Sequence, residues 1–153
     1  MTWPESPTRI ELSLAQQVLS VIEHGETLLK ASVSTAKNGP GNTEGSFCTP
    51  TGHFLVRERI GEGAPIFTNF VGRVPKKVWK GERQTDAILS RILWLEGLDT
   101  LNENTYRRYI YFHGTHEESL IGQAASHGCI RLKNKEMMTL FELCPLFTRV
   151  HIF

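Results

Sequence analysis

The sequence lacks an excess of charge of either sign, and it has no hydrophobic run long enough to cross a bilayer. Its 153 residues include 17 basic and 16 acidic side chains, which gives a formal net charge of +1. Because the basic and acidic residues nearly balance, the chain has no strong electrostatic field that would attract nucleic acid or an anionic lipid surface. We therefore expect neither a nucleic acid nor a membrane as a partner.

Cysteine is scarce, and no two cysteines are near neighbours. Cys48, Cys129 and Cys144 are odd in number and widely spaced, which predicts free thiols in a reducing compartment rather than disulfides or a Cys-x-x-Cys metal site. The first residues show no signal-peptide pattern. We expect a cytoplasmic location if Met1 is the native start, and the periplasm or cell wall if a signal was removed. No cofactor is predicted.

The hydrophobic pattern predicts strands at both ends of the chain. Ile10, Leu12 and Leu14 recur at period two, and VLSVIEHGETLLKASVST predicts two extended segments joined around His24-Gly25, a hairpin. The segments HFLVRERI, RRYIYFHG and RVHIF are also strand-like. These features predict one mainly β domain over residues 1–153.

Two helices are predicted within this β domain. Ile88, Ile92 and Leu95 recur at helical spacing, which predicts an amphipathic helix over residues 85–96. A second, short helix is predicted to begin at a capping Asn134 and to end before Pro145, with Cys144 as a buried hydrophobe.

The stretch ASHGCIRLKN concentrates reactive side chains around Cys129. Gly128 before it can take backbone angles that other residues resist, which suits a nucleophile on a turn. A free cysteine is only a few per cent thiolate at neutral pH, so it needs a base. A histidine that lowered the thiol pKa by about two units would favour the ion pair by roughly 2.7 kcal/mol. We favour His113, at a strand end, over the nearer His127, because a sheet holds its side chains rigidly.

The sequence leaves the partners of this pair open. The base needs an orienting group, which could be Glu117, Glu118 or a backbone carbonyl, since Asp86 and Asp99 lie far from the motif along the chain. Arg131 could bind a substrate carboxylate through two parallel hydrogen bonds, or it could be an ordinary solvated arginine.

A zinc site is an alternative use of the same side chains. His113, His116, His127 and Cys129 could form a tetrahedral ligand set. However, residues three apart on an extended chain point to opposite faces, so His113 and His116 converge only if the chain bends between them. A further alternative is a turn without chemistry, with a buried cysteine and surface histidines.

The segment YIYFHGTHEESLIGQAASHGCIRLKNKEMMTLF resembles the catalytic core of the L,D-transpeptidase (YkuD-type) family, whose signature is His-Gly followed by Ser/Thr-His-Gly-Cys, an apolar residue, and Arg or Asn. The segments SVSTAKNG, TPTGHFLV and RVHIF also resemble that family. The resemblance implies a β-sandwich of mixed sheets with two short helices. It implies a catalytic group of Cys129 as nucleophile, His113 as base and the Gly114 carbonyl as orienting group. It also implies a donor site shaped by Ser126, His127, Gly128, Arg131 and Tyr111, with backbone N–H groups of Gly128 and Cys129 as oxyanion donors.

The reaction that the resemblance implies is cleavage of the diaminopimelate–D-alanine bond of a peptidoglycan stem tetrapeptide through a Cys129 thioester. Water as acceptor gives an L,D-carboxypeptidase of muropeptide recycling, whereas a second stem peptide gives an L,D-transpeptidase that cross-links the wall. The segment AILSRILWLEGLDTLNENTYRRYIYFHGT resembles short members that include cytosolic L,D-carboxypeptidases. We favour hydrolysis because of the expected cytoplasmic location, where there is no cross-linked polymer to act on. Carbapenem β-lactams are expected covalent inhibitors. A non-catalytic stem-peptide binder is the remaining alternative.

Overall fold

A computed structural model describes residues 2–153 of the chain, and it is mainly β as expected. Its one α-helix, α1, spans Asn134–Leu143, and three 3₁₀ turns span Thr100–Asn102, Tyr106–Arg108 and Glu118–Leu120. The described helices include none with the length and apolar character of a membrane span. The ten strands are β1 Thr8–Ser13, β2 Val18–Glu23, β3 Glu26–Ser32, β4 Gly52–Ile60, β5 Thr68–Val71, β6 Val74–Val78, β7 Ile88–Gly97, β8 Tyr111–Gly114, β9 Ile130–Leu132 and β10 Arg149–Ile152.

The strands form a mixed sheet. Its hydrogen-bonded order is β3-β2-β1-β10-β4-β7-β5-β6, and β8 branches from β7 and pairs in turn with β9. The pairs β1–β10 and β8–β9 are parallel, and the other pairs are antiparallel. The hairpin predicted around His24-Gly25 is confirmed, since both residues have positive φ, 51° and 77°, as a tight two-residue turn between β2 and β3 requires.

The sheet folds back on itself. Ser34, just after β3, forms an antiparallel bridge with Arg131 of β9, with both N–H to O distances at 2.9 Å. The strand β3 lies at one end of the strand order, and β9 lies at the end of the branch that leaves β7 through β8. A bridge between the two therefore folds the sheet over, so that its two halves lie face to face. The prediction of a sandwich of mixed sheets is confirmed.

Among the residues that the structure describes, the larger of two buried hydrophobic clusters lies between the two halves, and a smaller one of Phe70, Ile92, Trp94 and Tyr111 packs beside Cys129. Ile10 and Leu12 of β1 belong to the same buried cluster as Phe112 of β8 and Ile130 of β9. The helix α1 closes this core with Met137, Leu140, Phe141 and, at its end, Cys144, all of which are fully buried. The predicted amphipathic pattern of this helix is therefore confirmed.

The helix predicted over residues 85–96 is wrong, because Ile88–Gly97 is strand β7. This strand pairs with β4, β5 and β8, so residues 89–95 are all buried and the alternation expected of a half-exposed strand is lost. A continuous apolar run of this length also satisfies a helical pattern. The register shifts between Leu89 and Ile92, where Ser90 has a φ of 73°.

Asn134 begins α1 but does not cap it as predicted, since Lys133 occupies the cap position. Instead the buried Asn134 amide joins three parts of the fold: its Oδ1 accepts a hydrogen bond from Ser90 Oγ at 2.6 Å, and its Nδ2 donates to the Thr115 carbonyl at 2.7 Å. A Cβ on Gly114 would overlap Asn134 Oδ1, so only glycine fits at the end of β8. This amide fixes the end of the strand that carries His113.

We expect Asn134→Ala to lower the free energy of unfolding by about 3 kcal/mol, because it removes the acceptor of the buried Ser90 hydroxyl hydrogen and the donor to the Thr115 carbonyl. Urea denaturation of both proteins measures this loss. The control is Lys135→Ala, which changes the next, exposed residue of the same helix. A loss no greater than that of the control would show that the amide network does not hold the end of β8.

Candidate active site

The parallel pairing of β8 with β9 determines which side chains share the site. Phe112 pairs with Ile130 and His113 pairs with Arg131. Because side chains alternate along a strand, Phe112 and Ile130 point into the core while His113 and Arg131 point to the opposite face. Cys129 lies two residues before Arg131, and its side chain is on the same face as those of His113 and Arg131. The sheet thus brings together residues that are sixteen positions apart.

The side chains of His113, Cys129 and Arg131 line one cavity of about 130 Å³. It contains five of the predicted site residues and two that the sequence did not indicate, Asp86 and Ile88. The lining residues are Asp86, Ile88, His113, Ser126, His127, Cys129 and Arg131.

The Cys129 thiol is partly buried between two main-chain groups, one at the start of β8 and one just before it. Its Sγ accepts a hydrogen bond from the Tyr111 N–H at 3.4 Å and donates one to the Tyr109 carbonyl at 3.3 Å. Burial raises the pKa of the Cys129 thiol to about 11, even though the Tyr111 N–H and the Arg131 charge favour the thiolate. The expected lowering of this pKa is wrong, because removal from water outweighs the favourable contacts. The thiol is protonated at rest.

The His113 imidazole is only 4% exposed. Its Nδ1 lies 2.6 Å from the Gly114 carbonyl oxygen. A carbonyl can only accept a hydrogen bond, so Nδ1 carries the proton and Nε2 is left as the basic nitrogen. Burial lowers the pKa of His113 to about 4. The sequence left Glu117, Glu118 or a backbone carbonyl as the group that orients His113. In the structure the His113 ring forms this hydrogen bond with a backbone carbonyl, that of Gly114.

The turn before Cys129 is held by hydrogen bonds from both sides. Ser126 Oγ accepts the Gly128 N–H at 3.2 Å and donates to the Cys129 carbonyl at 2.6 Å. Thr49 Oγ1 donates to the Gly128 carbonyl at 3.0 Å. Gly128 has a φ of 127°, and a Cβ there would lie 3.2 Å from the Cys48 carbonyl, so glycine is required. Because Ser126 takes the Gly128 N–H, the Cys129 N–H is the backbone donor left to face a substrate.

Arg131 is not a solvated arginine, since it is 5% exposed and lies between two carboxylates. One guanidinium nitrogen forms an ion pair with Asp86, and the other lies 3.7 Å from Glu117 Oε1. The second oxygen of Asp86 lies 2.7 Å from His127 Nδ1. Sequence reasoning missed Asp86 because it is far from the motif along the chain. The incorrect helix over residues 85–96 also concealed that the connection leading into β7 places this residue at the cavity.

Several residues that the sequence analysis proposed for the site do not line this cavity: Tyr111, Gly114, Glu117, Glu118 and Gly128. The Tyr111 ring packs edge-on against Trp94 with ring centroids 5.4 Å apart, so its contact with Cys129 is through the main chain. Glu118 accepts hydrogen bonds from Asn134, 2.7 Å from its backbone nitrogen and 2.9 Å from Nδ2. Gly114 contributes its carbonyl oxygen to His113.

The zinc alternative requires His116 to converge with His113. Instead, the His116 ring packs edge-on against Trp79 at 6.2 Å, and its Nε2 lies 3.7 Å from Glu117. Throughout residues 2–153, no three His, Cys, Asp or Glu side chains are grouped so that they could hold a metal ion.

Comparison with known sequences identifies relatives of this chain. The family model described as the L,D-transpeptidase catalytic domain, YkuD, matches residues 7–152. YqjB of Bacillus subtilis, whose name assigns it provisionally to the L,D-transpeptidases, is 42% identical over 50 residues. That segment is 33% of this chain and 28% of YqjB.

Solved structures share the fold at low sequence identity. The L,D-transpeptidase of Xylanimonas cellulosilytica gives a TM-score of 0.65 at 19% identity, covering 98% of this chain and 62% of the other. LdtMt1, solved in complex with imipenem, gives a TM-score of 0.61 at 18% identity, covering 96% and 59%. The chain thus corresponds to less than two thirds of either solved chain. Because the family model matches nearly its whole length, the chain belongs to the family of L,D-transpeptidase catalytic domains of the YkuD type.

Proposed function

We propose that this domain is an acyl-transfer enzyme of peptidoglycan metabolism, with Cys129 as nucleophile and His113 as base. The observation that carries the proposal is the shared cavity in which a sheet holds both side chains, with His113 Nδ1 2.6 Å from the Gly114 carbonyl. That contact directs the basic nitrogen of His113 away from its own backbone. The substrate that family membership supports is a stem peptide of peptidoglycan.

The first half of the reaction forms a thioester from neutral partners. As Cys129 Sγ attacks the carbonyl carbon of diaminopimelate, its proton moves to His113 Nε2, and the carbonyl oxygen becomes an oxyanion facing the Cys129 N–H. The imidazolium then gives its proton to the nitrogen of the departing D-alanine as the C–N bond breaks. The neutral resting pair means that proton transfer accompanies attack, so the thiolate forms only when a substrate is in place.

We propose water as the acceptor of the acyl group, which makes the enzyme an L,D-carboxypeptidase of muropeptide recycling. His113 takes a proton from water as the oxygen attacks the thioester carbonyl, and the proton goes to the departing Cys129 sulfur. Support for this acceptor is the resemblance of the segment before His113 to short family members that include cytosolic L,D-carboxypeptidases. The substrates would then be soluble muropeptides met in the cytoplasm. An amine acceptor would give the alternative, a transpeptidase.

Incubation with a diaminopimelate-containing tetrapeptide is expected to release D-alanine and the tripeptide, read by mass spectrometry. Cys129→Ala and His113→Ala should each lose at least about a thousandfold in turnover, since each removes a reacting group. Cys48→Ser is the control, because its thiol contacts only the Asn38 and Ser46 carbonyls. A cross-linked dimer as the product would indicate the transpeptidase. Turnover that survived Cys129→Ala would eliminate the thioester, and binding without any product would indicate a stem-peptide binder.

The pH dependence of Cys129 alkylation tests the neutral resting pair. Because burial raises the pKa of this thiol to about 11, the rate of its reaction with iodoacetamide should rise about tenfold per pH unit from about pH 7 to pH 10. Peptide mass spectrometry reports the rate at Cys129 alone, and Cys144, whose pKa burial raises to about 12, serves as an internal reference. A rate that is already constant near neutral pH would show a thiolate–imidazolium pair instead.

The dependence of turnover on pH below neutrality tests the protonation state of His113. An ordinary histidine base is lost as the pH falls through about 6.5, because protonation removes its lone pair. Since burial lowers the pKa of His113 to about 4 in the free protein, kcat/KM should persist down to about that pH. Circular dichroism at each pH separates loss of the base from loss of the fold.

Carbapenems should acylate Cys129, since their strained lactam carbonyl is open to attack by a positioned thiol. The intact mass of the protein should increase by that of one imipenem molecule, and the Cys129→Ala mass should not change. An unchanged wild-type mass after prolonged exposure would contradict this prediction. Peptide mapping confirms the modified residue.

A further inference from the structure

Asp86 is the acidic side chain of the cavity that the proposed reaction does not use. It lies in the connection between β6 and β7, and its carboxylate lines the same cavity as Cys129 Sγ. One oxygen pairs with Arg131 and the other lies 2.7 Å from His127 Nδ1. The side chain is nevertheless 43% exposed, in contrast to 6% for that of Arg131.

The need to neutralise the charge of Arg131 does not by itself explain why Asp86 lies at the cavity. Glu117 Oε1 lies 3.7 Å from the other guanidinium nitrogen, so two carboxylates meet one buried positive charge. The Arg131 guanidinium and the two carboxylates together carry a formal net charge of −1 on this side of the cavity. The Arg108 guanidinium, whose charge also favours the Cys129 thiolate, donates its hydrogen bonds to the Cys48 and Gly41 carbonyls. A positive group of a ligand beside Asp86 would balance the charge.

Asp86 also has the geometry to accept such a group. A carboxylate offers about four acceptor positions, and the contacts with Arg131 and His127 occupy two of them. Because the Asp86 side chain is 43% exposed and lines the same cavity as Cys129, a ligand in that cavity can reach the remaining positions. The apolar Ile88 forms the adjoining wall, which fits a hydrocarbon chain leading to a charged end.

We propose that Asp86 is a specificity residue that binds a protonated amine on the side chain of the substrate residue whose carbonyl Cys129 attacks. This inference rests on the proposed function, within which it identifies the recognised substrates as stem peptides whose third residue carries a free side-chain amine. Diaminopimelate has such a group. Asp86 selects it by charge, and Arg131 and His127 hold the Asp86 carboxylate in place.

The test compares three tetrapeptides that differ only at the side-chain amine of diaminopimelate: the free amine, the N-methyl amine and the N-acetyl amide. The N-methyl peptide keeps the positive charge while adding bulk, and the N-acetyl peptide removes the charge. kcat/KM is measured for each with the wild type, Asp86→Asn and Glu82→Gln. The last variant removes an exposed carboxylate of the same connection that lies outside the cavity lining.

The wild type and Glu82→Gln should prefer both charged peptides over the N-acetyl peptide by about ten- to a hundredfold, the range of one charge-assisted hydrogen bond. Asp86→Asn should lose this preference by slowing on the charged peptides alone. An equal loss on all three peptides would show that Asp86 only positions Arg131 and His127. A gain on all three would show that it obstructs the cavity, and either result would overturn the proposal.

Binding measured in the Cys129→Ala background separates this inference from the proposed function. Calorimetry of the same peptides with Cys129→Ala, and with Cys129→Ala combined with Asp86→Asn, gives the preference without turnover. If the wild type turns over no peptide, the proposed reaction fails while a charge preference that depends on Asp86 still supports amine recognition. If no such preference appears in Kd, amine recognition fails whatever the catalytic result.

Discussion

The parallel pairing of β8 with β9 is the constraint on which the site depends. It sets His113 beside Arg131 and places Cys129 on the same face, while Phe112 and Ile130 anchor both strands in the core. A shift of either strand by one residue would exchange the two faces and bury the reactive groups among apolar side chains. The strands that carry these side chains are therefore anchored in the core, and they hold Cys129 and His113 in the lining of one cavity.

Burial decides the chemical state of this pair. Cys129 and His113 lie where charge is costly, so the pKa of the thiol rises and that of the imidazole falls, and both groups are neutral at rest. A neutral thiol is slow to react with stray electrophiles and oxidants. In the proposed reaction, the thiol proton moves to His113 only as the sulfur attacks a bound substrate carbonyl, so reactivity would appear where a substrate is bound.

Local motifs were predictable from the sequence, and contacts between distant segments were not. Cys129 and His113 could be identified because a His-Gly and a Ser-His-Gly-Cys motif each occupy a few consecutive positions. The strand β7 was misread as a helix because burial on every side removes the period-two alternation that identifies strands. Asp86 and Thr49 could not be placed at the site, because their contacts depend on how β7 and the segment before β4 pack in three dimensions.

Arg131 joins the fold and the site within one residue. Its main chain closes the sheet at Ser34, and its side chain lies between Asp86 and Glu117. Removing the guanidinium would leave two carboxylates facing each other with no positive charge, which costs stability as well as any role in binding. Loss of activity on changing Arg131 would therefore not distinguish the two. Asp86 is half-exposed and lies on a connection rather than in the sheet, so its contribution to recognition can be separated from the stability of the fold.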